Sequence, residues 1–251
     1  MSIIILKIEY DGTNYGGWQI QPNSVTIQEK IQDAILELTG FQINLVGAGR
    51  TDAGVHAQGM IAHAEVKSDL KIPENKIPKA LNSLLPDDIR IRKAKITRTP
   101  FHARFDAIAR EYSYTIHLKE SPFLGRFSTL IKYDLDFRLL FESAKIFIGK
   151  HDFTTFSKLN PDTKNYHCDI EKSYWEKLED SWQYHVKADR FVYGMVRSLV
   201  GAMIDAARGK RSIEELASAF DESDRNKISP LAPPQGLILE KIYYPKNIDL
   251  L

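Results

Sequence analysis

The segment Gly47-Ala48-Gly49-Arg50-Thr51-Asp52-Ala53-Gly54 sets a cation and a carboxylate between glycines, in a chain of 251 residues. Glycines let a backbone take positive φ and approach a ligand closely. Two familiar phosphate loops are excluded. A dinucleotide fingerprint needs glycine at 47, 49 and 52, but position 52 is Asp52, and no Gly-Lys-Ser/Thr ends the segment as a Walker loop requires. Asp52 is then either a turn former bonding its neighbours' amides or a reacting carboxylate. Spacing alone favours the turn. The other reactive residue types are scattered. His56 and His63 lie seven apart without a Glu-x-x-His pattern, and His102, His117, His151, His167 and His185 are dispersed, so no metal site is expected. No Gly-x-Ser-x-Gly elbow presents a serine nucleophile. Cys168, the single cysteine, stands beside Asp169, which disfavours a thiolate, and it is read as inert. One cysteine also excludes an intramolecular disulfide framework.

Elements that must hold these residues can be read from periodicity. Leu6-Lys7-Ile8-Glu9-Tyr10 alternates with period two and turns at Asp11-Gly12, as a strand does. Thr26-Ile27-Gln28-Glu29 forms a capping box, followed at helical spacing by Ile27, Ile31, Ala34, Ile35 and Leu38, with Gly40 as the stop. A strand over Ile43–Val46 is expected to enter the glycine segment, and Ala80, Leu81, Leu84 and Leu85 predict a short helix ended by Pro86. Residues 107–118 read as a long strand with Arg110, Tyr112, Tyr114 and Ile116 on one face. That face is either half-buried with a snorkelling arginine or a surface combining a cation with aromatics. A helix is predicted from Asp136 to Gly149, and a hairpin over 168–178 and 182–188. A third helix carries Met195 to Ile204 and closes at Arg208-Gly209. Ser212-x-x-Glu215 opens a fourth, and a last strand falls near Leu237 to Tyr244. The expected class is α+β (mixed α/β), in two comparable halves, 1–105 and 106–251.

Composition narrows the functional classes. Hydrophobic residues make up 43% and charged residues 27%, which argues for a packed core and against disorder. A formal charge of +1 requires any nucleic-acid footprint to be local. Arg90 to Arg126 holds nine Lys/Arg against three acids, which is either a phosphate-facing belt or a solvated edge strand. No run of about 18 apolar residues spans a membrane. Lys7 and Glu9 interrupt the opening residues too early for a secretory signal, so a cytoplasmic protein is expected.

Gly49-Arg50-Thr51-Asp52-Ala53-Gly54-Val55-His56 resembles the signature of the TruA family of tRNA pseudouridine synthases, and further motifs match in order. They are Tyr10-Asp11-Gly12-Thr13 with Gly17-Trp18-Gln19, Ala80-Leu81-Asn82 with Leu85-Pro86, Phe101-His102-Ala103-Arg104-Phe105, and Arg110-x-Tyr112-x-Tyr114. His151-Asp152-Phe153, Met195-Val196-Arg197 and Pro233-x-x-Gly236-Leu237 complete a series running from residue 10 to residue 237. The resemblance implies that Asp52 is catalytic, that Tyr112 stacks on the target uracil, and that Arg197 pairs with Asp52. It implies RNA contacts for Arg50 and Arg104, and the period-two strand, which puts Arg110 on the same side as Tyr112, is consistent with phosphate binding by Arg110 beside the stacked base. The resemblance further implies two related halves sharing an extended, mostly antiparallel sheet flanked by helices, with the active-site cleft between them. The family acts as a homodimer on uridines 38, 39 and 40 of the tRNA anticodon stem-loop. Three positions depart from its pattern: Met60 where Gln is common, Gly194 where His often precedes Met-Val-Arg, and Pro234 where Ala is usual.

That reaction cuts the N1 glycosidic bond, turns the base and rejoins it through C5, with no redox change, so it requires no cofactor. A target inside a stem must be extruded, at a cost of a few kcal/mol, of which stacking on an aromatic returns about 1–3 kcal/mol. Asp52 could attack C1′ of the ribose, attack C6 of the uracil, or assist departure to a glycal. The rival readings are an RNA-binding protein without catalysis, a synthase for another RNA, and a metal-dependent nuclease, which would need carboxylate clusters near the basic belt and be sensitive to EDTA.

Overall fold

The structure is a computed structural model that describes residues 2–66, 72–158, 163–222, 230–246 and 248. In chain order the first elements are β1 (Ser2–Tyr10), α1 (Ile27–Thr39), β2 (Val46–Gly47), β3 (His56–Val66), α2 (Ile77–Asn82) and β4 (Ile89–Thr97). Next come β5 (Ala109–His117), β6 (Thr129–Leu130), α3 (Phe137–Lys145), β7 (Gly149–Asp152), β8 (His167–Lys177) and β9 (Ser181–Ala188). The chain ends with α4 (Met195–Ala207), α5 (Ile213–Glu222) and β10 (Leu237–Tyr243). This is the mixed α and β content that the periodicity predicts. No helix among the described residues is long and apolar enough to cross a membrane.

Two compact units form, one from Met1–Ile108 with Ile238–Leu251, the other from Ala109–Leu237. In the first, the strand order is β4-β1-β3-β10, with β2 added on β3. β1 runs antiparallel to β3 and β4, whereas β10 joins β3 in parallel, with Ile238 opposite His56. Leu6 and Ile8 of β1, Met60 and Ala62 of β3, and Ile27 and Ile31 of α1 are fully buried. Met60, one of the departures from the family pattern, is thus a core residue.

α1 begins and ends as its sequence dictates. Thr26 Oγ1 accepts from the Glu29 amide and Glu29 reciprocates at the Thr26 amide, while Gly40 closes the helix at φ +72. The strand expected at Ile43–Val46 is shorter, reduced to Val46–Gly47. Side chains of α1 replace the missing ladder: Gln28 Nε2 donates to the Leu45 carbonyl (2.7 Å) and Gln32 Oε1 accepts from the Leu45 amide (2.9 Å). The short helix also ends earlier than expected, at Asn82. Asn82 bonds the Ile91 amide and carbonyl together, at 2.8 and 2.9 Å, so its side chain acts as a strand partner for β4.

In the second unit the order is β5-β9-β8-β7, all antiparallel, with β6 parallel to β5. Tyr114, Tyr184, Phe147, Phe153 and Phe156 fill its core. Ser173 Oγ lies 2.7 Å from the Tyr184 hydroxyl and donates to the Ala144 carbonyl of α3 (2.6 Å), pinning helix to sheet. The motif His151-Asp152-Phe153 is structural here: His151 stacks on Phe220 of α5 (4.4 Å), and Phe153 meets the same ring edge-on (5.4 Å). Cys168 is buried, and burial pushes its thiol up to about 12. The adjacent Asp169 is not the cause. Arginine and backbone contacts oppose the shift, and Asp189 and Asp152 add to it.

Candidate active site

Asp52 lies, half-buried, in the loop between β2 and β3. Val55 donates its amide to the Asp52 carbonyl (3.2 Å), and Gly54 sits at φ +77, so the residue does occupy a turn. The turn is braced from outside by the segment after β1. Tyr10 shares a buried hydroxyl bond with Thr51 (2.8 Å), and Trp18 donates its amide to the Thr51 carbonyl (3.1 Å). Gly54 donates to the Tyr15 carbonyl (3.4 Å), and the Trp18 ring covers Gly47, where a Cβ would stand 2.6 Å from the indole nitrogen. At the loop's far end His56 Nδ1 meets the Gly12 amide (3.1 Å) and Asp11 Oδ1 (3.0 Å), accepting in one tautomer and donating in the other. Asp11 in turn caps Thr13. The two first motifs of the ordered series are therefore the scaffold of the Asp52 loop, which a rigid carboxylate requires. Arg50, in the same loop, is exposed.

Arg104 occupies the loop after β4 and is exposed, its guanidinium 5.8 Å from the Phe105 ring centre. That loop hangs on the first unit through His63, whose Nδ1 accepts from the Ala103 amide (3.1 Å), and Tyr244, whose hydroxyl donates to the Ala103 carbonyl (2.6 Å). Burial, and next His102, lower the His63 pKa. The basic stretch divides among several elements. Arg90, Arg92, Lys93 and Lys95 belong to β4, which ends the strand order of its unit, and Arg90 and Arg92 pair with Asp87 and Glu9. That part reads as a solvated edge strand.

In the second unit Arg110 and Tyr112 lie on β5, opposite Ala188 and Val186 of β9. Arg110 donates to the Asp189 carbonyl (2.9 Å), and the Tyr112 ring meets Phe191 edge-on (5.2 Å, 88°). Phe191 was not found by sequence reasoning, because it falls in the connector between β9 and α4, where no periodicity applies. Arg197 enters from α4, half-buried. Its Nε donates to the Ala232 carbonyl (2.7 Å) and its own carbonyl accepts from the Ala232 amide (3.0 Å). The next residue, Pro233, accepts from the Tyr114 hydroxyl (2.8 Å), and the Tyr114 ring lies where a Cβ on Gly236 would be (2.7 Å). Burial raises the Tyr114 pKa, partly offset by its bond to Thr129 and by Arg197. The Pro233-x-x-Gly236 motif thus fixes Arg197 and Tyr114 together. Gly194 precedes α4 at φ +73, a left-handed cap without a side-chain bond.

Fold and loop together define a mixed α/β protein that holds a carboxylate on a braced glycine turn, an arrangement suited to nucleophilic or acid–base chemistry. A family model described as tRNA pseudouridine synthase matches residues 7–106 and 143–245. The tRNA pseudouridine synthase A of Porphyromonas gingivalis is 37% identical over 252 residues, covering 100% of both chains. That of Bacteroides fragilis is 38% identical, covering 97% of this chain and 96% of its own, and that of Chlamydia trachomatis serovar L2b is 41% identical, covering 96% and 92%. A crystal structure of an archaeal box H/ACA sRNP Nop10-Cbf5 complex aligns over 89% of this chain and 59% of that one, at 11% identity and a TM-score of 0.39. The chain belongs to the tRNA pseudouridine synthase family, and it is an isomerase of uridine to pseudouridine.

Proposed function

We propose that the protein converts uridines 38, 39 and 40 in the anticodon stem-loop of tRNA, with Asp52 as its catalytic carboxylate. The observation that carries this reading is the braced turn of Asp52, whose backbone neighbours Thr51 and Gly54 are tied to Tyr10, Tyr15 and Trp18. The N1–C1′ bond breaks, the uracil turns, the C5–C1′ bond forms, the C5 proton leaves to solvent and N1 takes a proton up in its place. Substrate and product are therefore isomers. Asp52 attacks C1′ or C6, or assists departure of the uracilate. Tyr112, its ring set by Phe191, stacks on the extruded base. Arg197 supplies the cation that pairs with the reacting carboxylate. Arg50, Arg104 and Arg110 bind phosphates. The working form is a cytoplasmic homodimer.

Tritium release tests this. Unmodified tRNA transcripts labelled at uracil C5 should lose tritium to wild-type protein, with EDTA present, when uridine stands at 38, 39 or 40, and not when it stands only elsewhere. Asp52→Ala should bind the same transcripts and release none. Binding by wild type without release from any of these transcripts would overturn the reading in favour of an RNA-binding protein. Release only from ribosomal RNA fragments would replace its substrate.

A further inference from the structure

Phe105 is 75% exposed, yet its ring is not loosely held. It stacks on His102, with ring centres 4.2 Å apart and planes at 30°. His102 Nδ1 accepts from the backbone amides of both Arg104 and Phe105 (3.2 Å each). Asp106 closes the loop, its carboxylate accepting from the His102 amide (2.8 Å) while its own amide donates to the His102 carbonyl (3.1 Å). Beneath, His102 lies against His63 (4.7 Å), and Phe101 packs on His63 and Tyr244. An aromatic ring is therefore presented to solvent on a stack of rings fixed by hydrogen bonds. Two exposed arginines, Arg98 and Arg104, stand in the same loop.

We propose that Phe105, backed by His102, is a stacking platform for a nucleobase of the tRNA that neighbours the one converted. The inference rests on the functional reading above and adds a second aromatic contact to it. Rigid exposed rings beside cations suit nucleic acid, since every base has a π-face and every nucleotide a phosphate. The loop hangs on His63, which pairs with Val46 at the entrance to the Asp52 turn of the same unit, so the base it takes is a neighbour of the one converted. Extruding one base leaves its neighbours unstacked, and the platform takes up one of them.

The test is filter binding of an unmodified tRNA transcript to Phe105→Leu and Phe105→Tyr. The leucine variant keeps apolar bulk and loses the flat ring, so affinity should fall about 5- to 100-fold. The tyrosine variant should bind like wild type, and the salt slope should be the same in all three, because phosphate contacts are untouched. Thermal melts and sedimentation accompany the binding, since an exposed side chain should alter neither folding nor oligomeric state. Leucine binding as tightly as wild type overturns the proposal, as does tyrosine binding as weakly as leucine. A change in oligomeric state with unchanged RNA affinity would make Phe105 a contact between copies instead. Failure of the functional reading is separate: wild type would then release no tritium, whatever Phe105 does to binding.

Discussion

At the scale of single residues, the Asp52 turn is governed by what its neighbours leave no room for. Gly17 sits at φ +99, and a Cβ there would stand 2.5 Å from the Thr51 carbonyl oxygen and 3.0 Å from the Asp52 carbonyl carbon. Gly17→Ala should destabilise the fold by about 1–3 kcal/mol through backbone strain. Displacing the turn by as little as 1 Å should also slow conversion by about a hundredfold. Melting and tritium release on one preparation check both, and a destabilised variant with wild-type turnover would detach the turn from catalysis. His63 carries a pH dependence. Burial and then His102 lower its pKa from the ordinary 6.5, against the Val46 carbonyl, Asp106 and Glu65, which raise it. Below that value the unfolded chain takes up a proton that the folded ring resists, so stability falls with acid, while above it His63 adds no slope. His117, lowered by burial, acts in the same direction. The melting temperature should therefore fall between about pH 7 and pH 5.5, less steeply in His63→Gln. An unchanged slope would refute the assignment.

Single elements show where local chemistry suffices. Thr26→Ala removes one half of the α1 capping box from a fully buried cap and should cost about 1 kcal/mol, or roughly 2–4 °C in Tm. Calorimetry on the variant measures it. The cap was legible because its signal is confined to four residues, and the same holds for α5, where Ser212 and Glu215 cap each other. The hairpin β8–β9 and helix α4 were legible by period. Elements whose hydrogen bonds go to distant side chains were not. Ile43 and Leu45 are buried and look like strand, but Leu45 bonds to two glutamines of α1. α2 stops at Asn82 because that side chain is engaged by β4. The candidate site divides likewise. Arg50 and Asp52 stand out by spacing among glycines, whereas Tyr10, Trp18 and Phe191 touch their targets only through the fold. The motifs of Tyr10 and Trp18 could be noticed in the sequence, but what they brace could not, and Phe191 lies in no motif at all.

For the whole molecule, the decisive long-range event is the return of β10 to pair in parallel with β3 after the second unit has been completed. Period-two patterning marks a strand and is silent about its partner. Each unit then keeps a core of its own, and the single cysteine falls inside the second. Cys168, 1% exposed and with its thiolate disfavoured, should resist alkylating reagents in native buffer. Modification should appear only as the second unit opens, at a rate set by that opening. Comparing alkylation across a urea series with hydrogen exchange at β1, in the first unit, would time the two units against each other. The protein thus carries an internal clock for half of itself, readable by mass spectrometry without any engineered label.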